Sequence, residues 1–417
     1  MKKIFCFLFL IAAAFSSSAQ KINELYANSI KCRQHQKYDC FLRFTQQLDS
    51  IKPSNSTYVY NLACAYALNE MPEKALSALE KSVLMDADTK FEADADLESL
   101  KALPGYQNIL KLKADLQKQT ANSSKVTTLT EKDLHPEGLT YLSKSKTWLA
   151  TSVRKGKIVS FDIKKGICKD WLNVEGVYSV LAMKADASEK YLWVATVAAE
   201  QWTGYKSELK GKSEILKVDI KSRKIVQRFK ALGDHVFGDL VVAKSGVVYI
   251  SDSYTAGVYK IDSDEITHWL DLSGRTYNLQ GLTLSGDETK IYVADYFSGI
   301  LEVEVGNVKN RKWLDFPAGT VTKGIDGLTW YDNSLVAIHN GVKPIRIVRY
   351  FLNDSGDKIV GFKLIDNNRR EFNEPALGCL KDKMFYFFAN SPWNAYDKSN
   401  NLDESKFGNP MLFSFSL

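Results

Sequence analysis

Glu137 sits between a proline and a glycine in "HPEGL", at the mouth of an apolar strand, and the position recurs. Gln280 in "LQGL", Asp326 in "IDGL" and Glu374 in "EPALG" open similar stretches, and Asp239 follows Gly238 in "FGDL". Carboxylates gathered in a partly buried space repel one another, each charge pushing a proton onto its neighbour. A cation resolves that conflict. An oxygen-only set favours a hard ion, and a loosely shaped channel suits Ca²⁺ better than Mg²⁺. The alternative is a hydrated polar channel with shared protons. His339 in "AIHNG" is the candidate general base, because an ordinary imidazole titrates near working pH; the other reading is a hydrogen-bonded structural histidine. Glu374 is the second catalytic candidate. Asp252, Asp295, Asn340 and Asn390 end the following strands and form a second polar layer near the same mouth, while His135 and His235 read as loop residues.

These residues need a scaffold that brings distant segments to one axis. Six fragments beginning at Glu137, Tyr178, Gly238, Gln280, Asp326 and Glu374 share the order apolar strand, polar turn, apolar strand, and start about 41 to 60 residues apart. That spacing predicts a six-bladed β-propeller over residues 121–417, whose innermost strands line a central channel. The widest spacing comes from the insertion "AAEQWTGYKSELKGKSE". The last blade ends at "MLFSFSL", so "KVTTLT" near residue 128 is expected to supply its outer strand and close the ring. Trp202, Tyr205, Trp393 and Tyr396 fall in long loops, where aromatics either stack on a ligand or pack the loop.

The rest of the chain has a different period. Residues 1–19 read as a signal peptide: Lys2-Lys3, an apolar run, then small residues at Ser17-Ser18-Ala19. Export to a periplasmic or extracellular location permits disulfides, and Cys32 with Cys40 is the pair to expect, against the alternative that all five remaining cysteines are free. Residues 20–120 carry helical spacing. Ala63, Tyr66, Ala75, Leu79 and Ser82 resemble a tetratricopeptide repeat, whose paired helices need small residues where they cross. Such a unit either offers a protein-binding groove or packs as a cap. No later apolar run approaches the about 20 residues a membrane span needs. The formal charge of +6 is dispersed along the sequence, which argues against a nucleic-acid surface.

The blade starts "HPEGL", "FGDL", "LQGL" and "IDGL" resemble those of the regucalcin/gluconolactonase family over about residues 125–417. The resemblance implies a divalent ion, usually calcium, held by a Glu, two Asn and an Asp. Glu137 and Asp326 match in type. Gly238 replaces one Asn, with Asp239 kept beside it, and Gln280 replaces the other. The implied activity is calcium-dependent hydrolysis of a small lactone or ester at the propeller mouth; the competing expectation is a propeller that binds a ligand or protein without turning it over. No serine-hydrolase elbow, phosphate loop or dinucleotide fingerprint is present.

Overall fold

The computed structural model describes residues 5–274, 278–375 and 377–417, with side chains from residue 20 onward. Of the signal peptide expected over residues 1–19, residues 1–4 and all the side chains lie outside the described residues. The chain divides into two compact units, 1–117 and 118–417.

The first unit is a small set of helices: α1 (Phe5–Gln34), α2 (Tyr38–Ile51), α3 (Ser56–Leu68), α4 (Pro72–Met85) and α5 (Pro104–Gln117). Local signals set their ends. The Asn55 side chain accepts the Tyr58 amide at 3.2 Å and caps α3, and Pro72 opens α4, where a missing N–H costs nothing. Buried Ala63, Ala65, Ala75 and Ala78 let α3 and α4 approach, while Phe41, Leu48, Leu79 and Val83 fill the interior. Cys32 and Cys40 are joined, tying the end of α1 to α2; Cys64, Cys168 and Cys379 are free. With so few helices among the described residues, the tetratricopeptide expectation reduces to a packed helical unit, since an array needs at least about three repeats.

The second unit is mainly β, six sheets in sequence order. Their inner strands are Leu139–Leu142, Ser179–Ala185, Phe237–Val242, Leu279–Leu284, Ile325–Trp330 and Gly378–Lys381. Apolar clusters join every neighbouring pair of blades. Leu149 and Ile158 of blade one pack with Val180 and Met183 of blade two, and Trp148 and Val159 pack with Phe388 and Leu412 of blade six, so the ring is closed by core. It is also closed by hydrogen bonding: Ser124–Thr128 pairs antiparallel with Met411–Ser416, giving blade six its outer strand as expected. One addition was not foreseen. Thr120–Ala121 pairs with Asn367 and Asp366 as a fifth strand on blade five, and the Asp366 carboxylate accepts the Asn122 and Ser123 amides at 2.9 and 3.1 Å.

Two glycines of the repeated motif answer to crowding between blades. A Cβ on Gly138 would stand 2.7 Å from the Leu181 carbonyl oxygen of blade two, and one on Gly281 would stand 2.5 Å from the Asp326 carbonyl oxygen of blade five. The "EGL" and "QGL" patterns thus record the close approach of adjacent inner strands.

Candidate functional site

A β-bulge makes the site. On blades two to five the inner-strand register slips at Leu181, Gly238, Gln280–Gly281 and Asp326, leaving those residues without a partner opposite them. A bulged residue is turned out of the ladder and can be aimed elsewhere. Here Leu181, Gly238, Gln280 and Asp326 all line one cavity of about 440 Å³, together with Glu137, Asp239 and Glu374. The ring position of blade two is therefore Leu181, three residues beyond the Tyr178 suggested by the fragment starts. On blade one, Thr151 Oγ1 accepts the amides of Glu137 and Gly138 at 3.2 and 2.7 Å and fixes the turn that presents the Glu137 side chain.

The cavity contains four carboxylates and, among the described residues, no Lys, Arg or His side chain. Glu137 is buried, and its Oε2 accepts from Ser391 Oγ at 2.9 Å and Trp393 Nε1 at 3.0 Å. Burial, then the nearby Asp326 charge, hold its carboxyl well above the usual carboxylate range. Asp326 is raised too, chiefly by burial, against a hydrogen bond from Asn340 Nδ2. Asn340 is itself fixed by Tyr296, whose hydroxyl donates to Asn340 Oδ1 at 3.1 Å. Glu374 accepts no side-chain hydrogen bond among the described residues; burial and then Asp326 push it up to about 7. Its backbone is left-handed at φ +51°, a strained state for a non-glycine residue of the kind that gathers at functional sites.

Asp239 lines the cavity but works within the scaffold. One of its oxygens accepts the Leu240 amide at 2.9 Å and the other the Leu282 amide of blade four at 3.3 Å, leaving less of it free for an ion than its position suggested. Gln280 is half-buried and has no hydrogen-bond partner among the described residues, so its amide oxygen is free. Gly238 leaves room. A Cβ there would meet nothing nearer than Ser253 Oγ at 3.5 Å.

His339 does not lie at the cavity, and the expectation that it serves as general base is corrected. It is buried, with Nδ1 donating to the Lys323 carbonyl at 3.0 Å and Nε2 accepting from the Tyr350 hydroxyl at 3.0 Å. Burial pushes its pKa down to about 3, so neither nitrogen is available to a ligand. Asp252 and Asp295, the second polar layer, are likewise consumed by backbone amides at the strand ends. His235 donates to Asp252 at 2.7 Å and lies 3.0 Å from the Leu232 carbonyl. His135 is buried edge-on against Trp393 at 4.6 Å, and Trp202 packs on Tyr178 at 5.6 Å.

Ser391, Tyr296 and Leu181 were missed by sequence reasoning. Ser391 reaches Glu137 across 254 residues, and no local pattern announces such a contact. Elsewhere, Cys64, Asp94 and Asp96 of the helical unit bring potential ligand atoms within 4.8 Å of one another. Arg33 pairs with Asp96, and the Tyr60 hydroxyl donates to Asp94 at 2.7 Å, so both carboxylates of that cluster already have a partner. The cavity carboxylates form no group that tight among the described residues.

The second unit is a six-bladed β-propeller with an acidic mouth. No family model matches the chain, and no curated protein matches it. Among solved structures it is similar to the calcium-binding protein regucalcin from Agrobacterium tumefaciens, at 12% identity and a TM-score of 0.49 over 71% of this chain and 93% of that one. It is also similar to virginiamycin B lyase from Staphylococcus aureus, at 11% identity and a TM-score of 0.47 over 72% of this chain and 100% of that one. The PQQ-bound aldose sugar dehydrogenase of Streptomyces coelicolor scores 0.48 at 12% identity, over 72% of this chain and 98% of that one. These are likenesses of general fold, which the six sheets already define.

Proposed function

We propose that the acidic mouth binds a hard divalent cation, Ca²⁺ by preference, and hydrolyses a small lactone or ester. The observation that carries this reading is the convergence of Glu137, Asp326 and Glu374 from blades one, five and six on one cavity that, among the described residues, no Lys, Arg or His side chain lines. Burial raises all three pKa values, so the arrangement costs free energy until positive charge is supplied. The donor set fits such an ion: Glu137 and Asp326 would hold it with the free amide oxygen of Gln280, and all three are oxygen ligands. When bound, a divalent ion supplies Lewis-acid polarisation of a substrate oxygen.

The chain's own residues supply the rest. Ser391 and Trp393 fix the Glu137 carboxylate, and Asn340, held by Tyr296, fixes Asp326. Glu374, unbonded and with a pKa near 7, is suited to take a proton from an attacking water near neutral pH. It replaces His339 as the base. The aromatic faces of Tyr296 and Trp393 and the apolar Leu181 and Leu377 give a small organic ring something to pack against. We further read the protein as exported, on the strength of residues 1–19 and the Cys32–Cys40 disulfide, and the helical unit as a partner-binding arm.

Purified full-length protein tests this. Calcium at 100 times its Kd should stabilise the fold by about 2.7 kcal/mol over chelator-treated protein. Glu137→Gln should remove both that shift and turnover on a panel of lactones, esters and phosphotriesters. Glu374→Gln should keep the shift and slow turnover by about 10² to 10⁴. Identical melting curves with calcium and chelator would sink the metal site, and a calcium-bound protein that hydrolyses nothing would leave a binding propeller.

A further inference from the structure

A second concavity lies at the junction of blades one and six, at the opposite end of the inner strands from Glu137. Three turns enclose it: residues 143–146 and 162–167 of blade one, and the turn after Lys381 in blade six. Its volume of about 850 Å³ falls within the range of about 300–1,000 Å³ usual for small-molecule sites. We propose that it binds an acidic oligosaccharide.

Charge is the first observation. Five lysines line the groove: Lys146, Lys164, Lys165, Lys169 and Lys381. The lone carboxylate among the lining residues, Asp162, accepts the Lys164 and Lys165 amides at 2.8 Å each through one oxygen, which shapes its own turn. Lys381 pairs with Asp382 at 2.8 Å; the other four lysines have no acidic partner among the described residues. Five lysines from separate turns outnumber the single lining carboxylate, and the excess makes a positive potential that an anion relieves.

The second observation is the floor. Trp148, buried, lies between half-buried Tyr141 and Tyr386, with ring centroids 4.8 and 4.6 Å apart. The half-buried Tyr141 and Tyr386, backed by the covered Trp148, offer ring surface to the apolar C–H faces of a pyranose, while its carboxylate or sulfate groups reach the surrounding ammonium groups. A nucleic acid fits less well. Bases stack on open, flat faces, whereas these rings are tilted by 44° and 57° to one another and the Lys381 ammonium stands 5.3 Å from the Tyr141 centroid.

The test is calorimetric titration of the full chain with trigalacturonate, a sulfated trisaccharide, neutral galactotriose and a short single-stranded oligonucleotide. The acidic sugars should bind, weaken as salt is raised, and weaken by about tenfold when three exposed ion pairs are lost together in Lys146→Gln/Lys164→Gln/Lys165→Gln. The uronate and sulfate arms identify which anion is preferred. Glu137→Gln should leave this binding unchanged, which separates it from the chemistry of the mouth. The proposal is overturned if neither acidic sugar binds, if galactotriose binds equally, if the triple variant binds as wild type while melting normally, or if the oligonucleotide binds more tightly than both sugars.

Discussion

The two layers of acidic residues around the ring have the same chemistry and opposite fates. At the ends of the second strands, Asp252 accepts the Val236 and Tyr254 amides at 2.9 Å, the Thr255 hydroxyl at 2.6 Å and His235 at 2.7 Å, and these bonds hold its pKa below the usual range despite its burial. At the inner-strand starts, Glu374 has no such bond among the described residues and its pKa rises. Burial acts on both. What differs is the supply of donors: Asp252 meets backbone amides and a histidine at its strand end, and the left-handed loop position of Glu374 meets none among the described residues. Asp252, surrounded by donors, is structural, whereas Glu374, deprived of them, is left to meet a ligand.

The sharpest way to break that comparison is Asp252→Ala. It leaves His235 and two backbone amides without their acceptor in a buried site, and should lower stability by about 3–5 kcal/mol in denaturant titration. A loss under about 1 kcal/mol would show that Asp252 is no more structural than Glu374. Gly238→Asn is the next largest effect. The space beyond Gly238 admits a side chain, so an added amide oxygen should tighten calcium binding on the order of tenfold, read by calorimetry. Unchanged affinity would mean that the ion, if bound, sits away from blade three.

pH dependence sharpens the comparison further. His235, with both ring nitrogens facing acceptors, has a raised pKa. Its contribution is therefore fully present below the unfolded-state value of about 6.5 and is lost as pH rises through the folded-state pKa. Asp252, depressed, contributes above about 3.9 and loses that contribution as pH falls through its folded-state pKa. Stability profiles should thus weaken on both limbs, and His235→Gln should flatten the alkaline one; an unaltered alkaline limb would contradict the assignment. Glu374→Gln in metal-free protein at pH 7.5 is expected to act in the opposite direction from Asp252→Ala: removing a charge whose pKa is pushed up from 4.5 to about 7 should stabilise the fold, by at most about 3 kcal/mol at about 1.36 kcal/mol per pKa unit. A large loss would move Glu374 into the structural layer.

Much of the ring was legible in advance because strand alternation and turn residues are local. The inner strands, the insertion after the second strand of blade two and the closing strand at Ser124–Thr128 all follow from period and order. Glu137, Gln280, Asp326 and Glu374 were found by repetition, and the cavity gathers them. Leu181 was not, because a bulge shifts the ring position by a few residues and only pairing reveals it. His339 was misread for a related reason: a histidine at a strand end has the same local sequence whether it faces a channel or, as here, sits between the Lys323 carbonyl and the Tyr350 hydroxyl.

By itself, then, the sequence determined the repeat, the strand order and the chemical types available at the mouth, since these depend on residue identity and spacing along the chain. Only the tertiary structure decided which carboxylates are satisfied. Ser391 and Trp393 come to Glu137 from more than 250 residues away, and Asp239 turns its oxygens to the amides of its own and the next blade. Hydrogen-bond supply is a property of neighbours in space, and the closure of the ring is what chooses those neighbours.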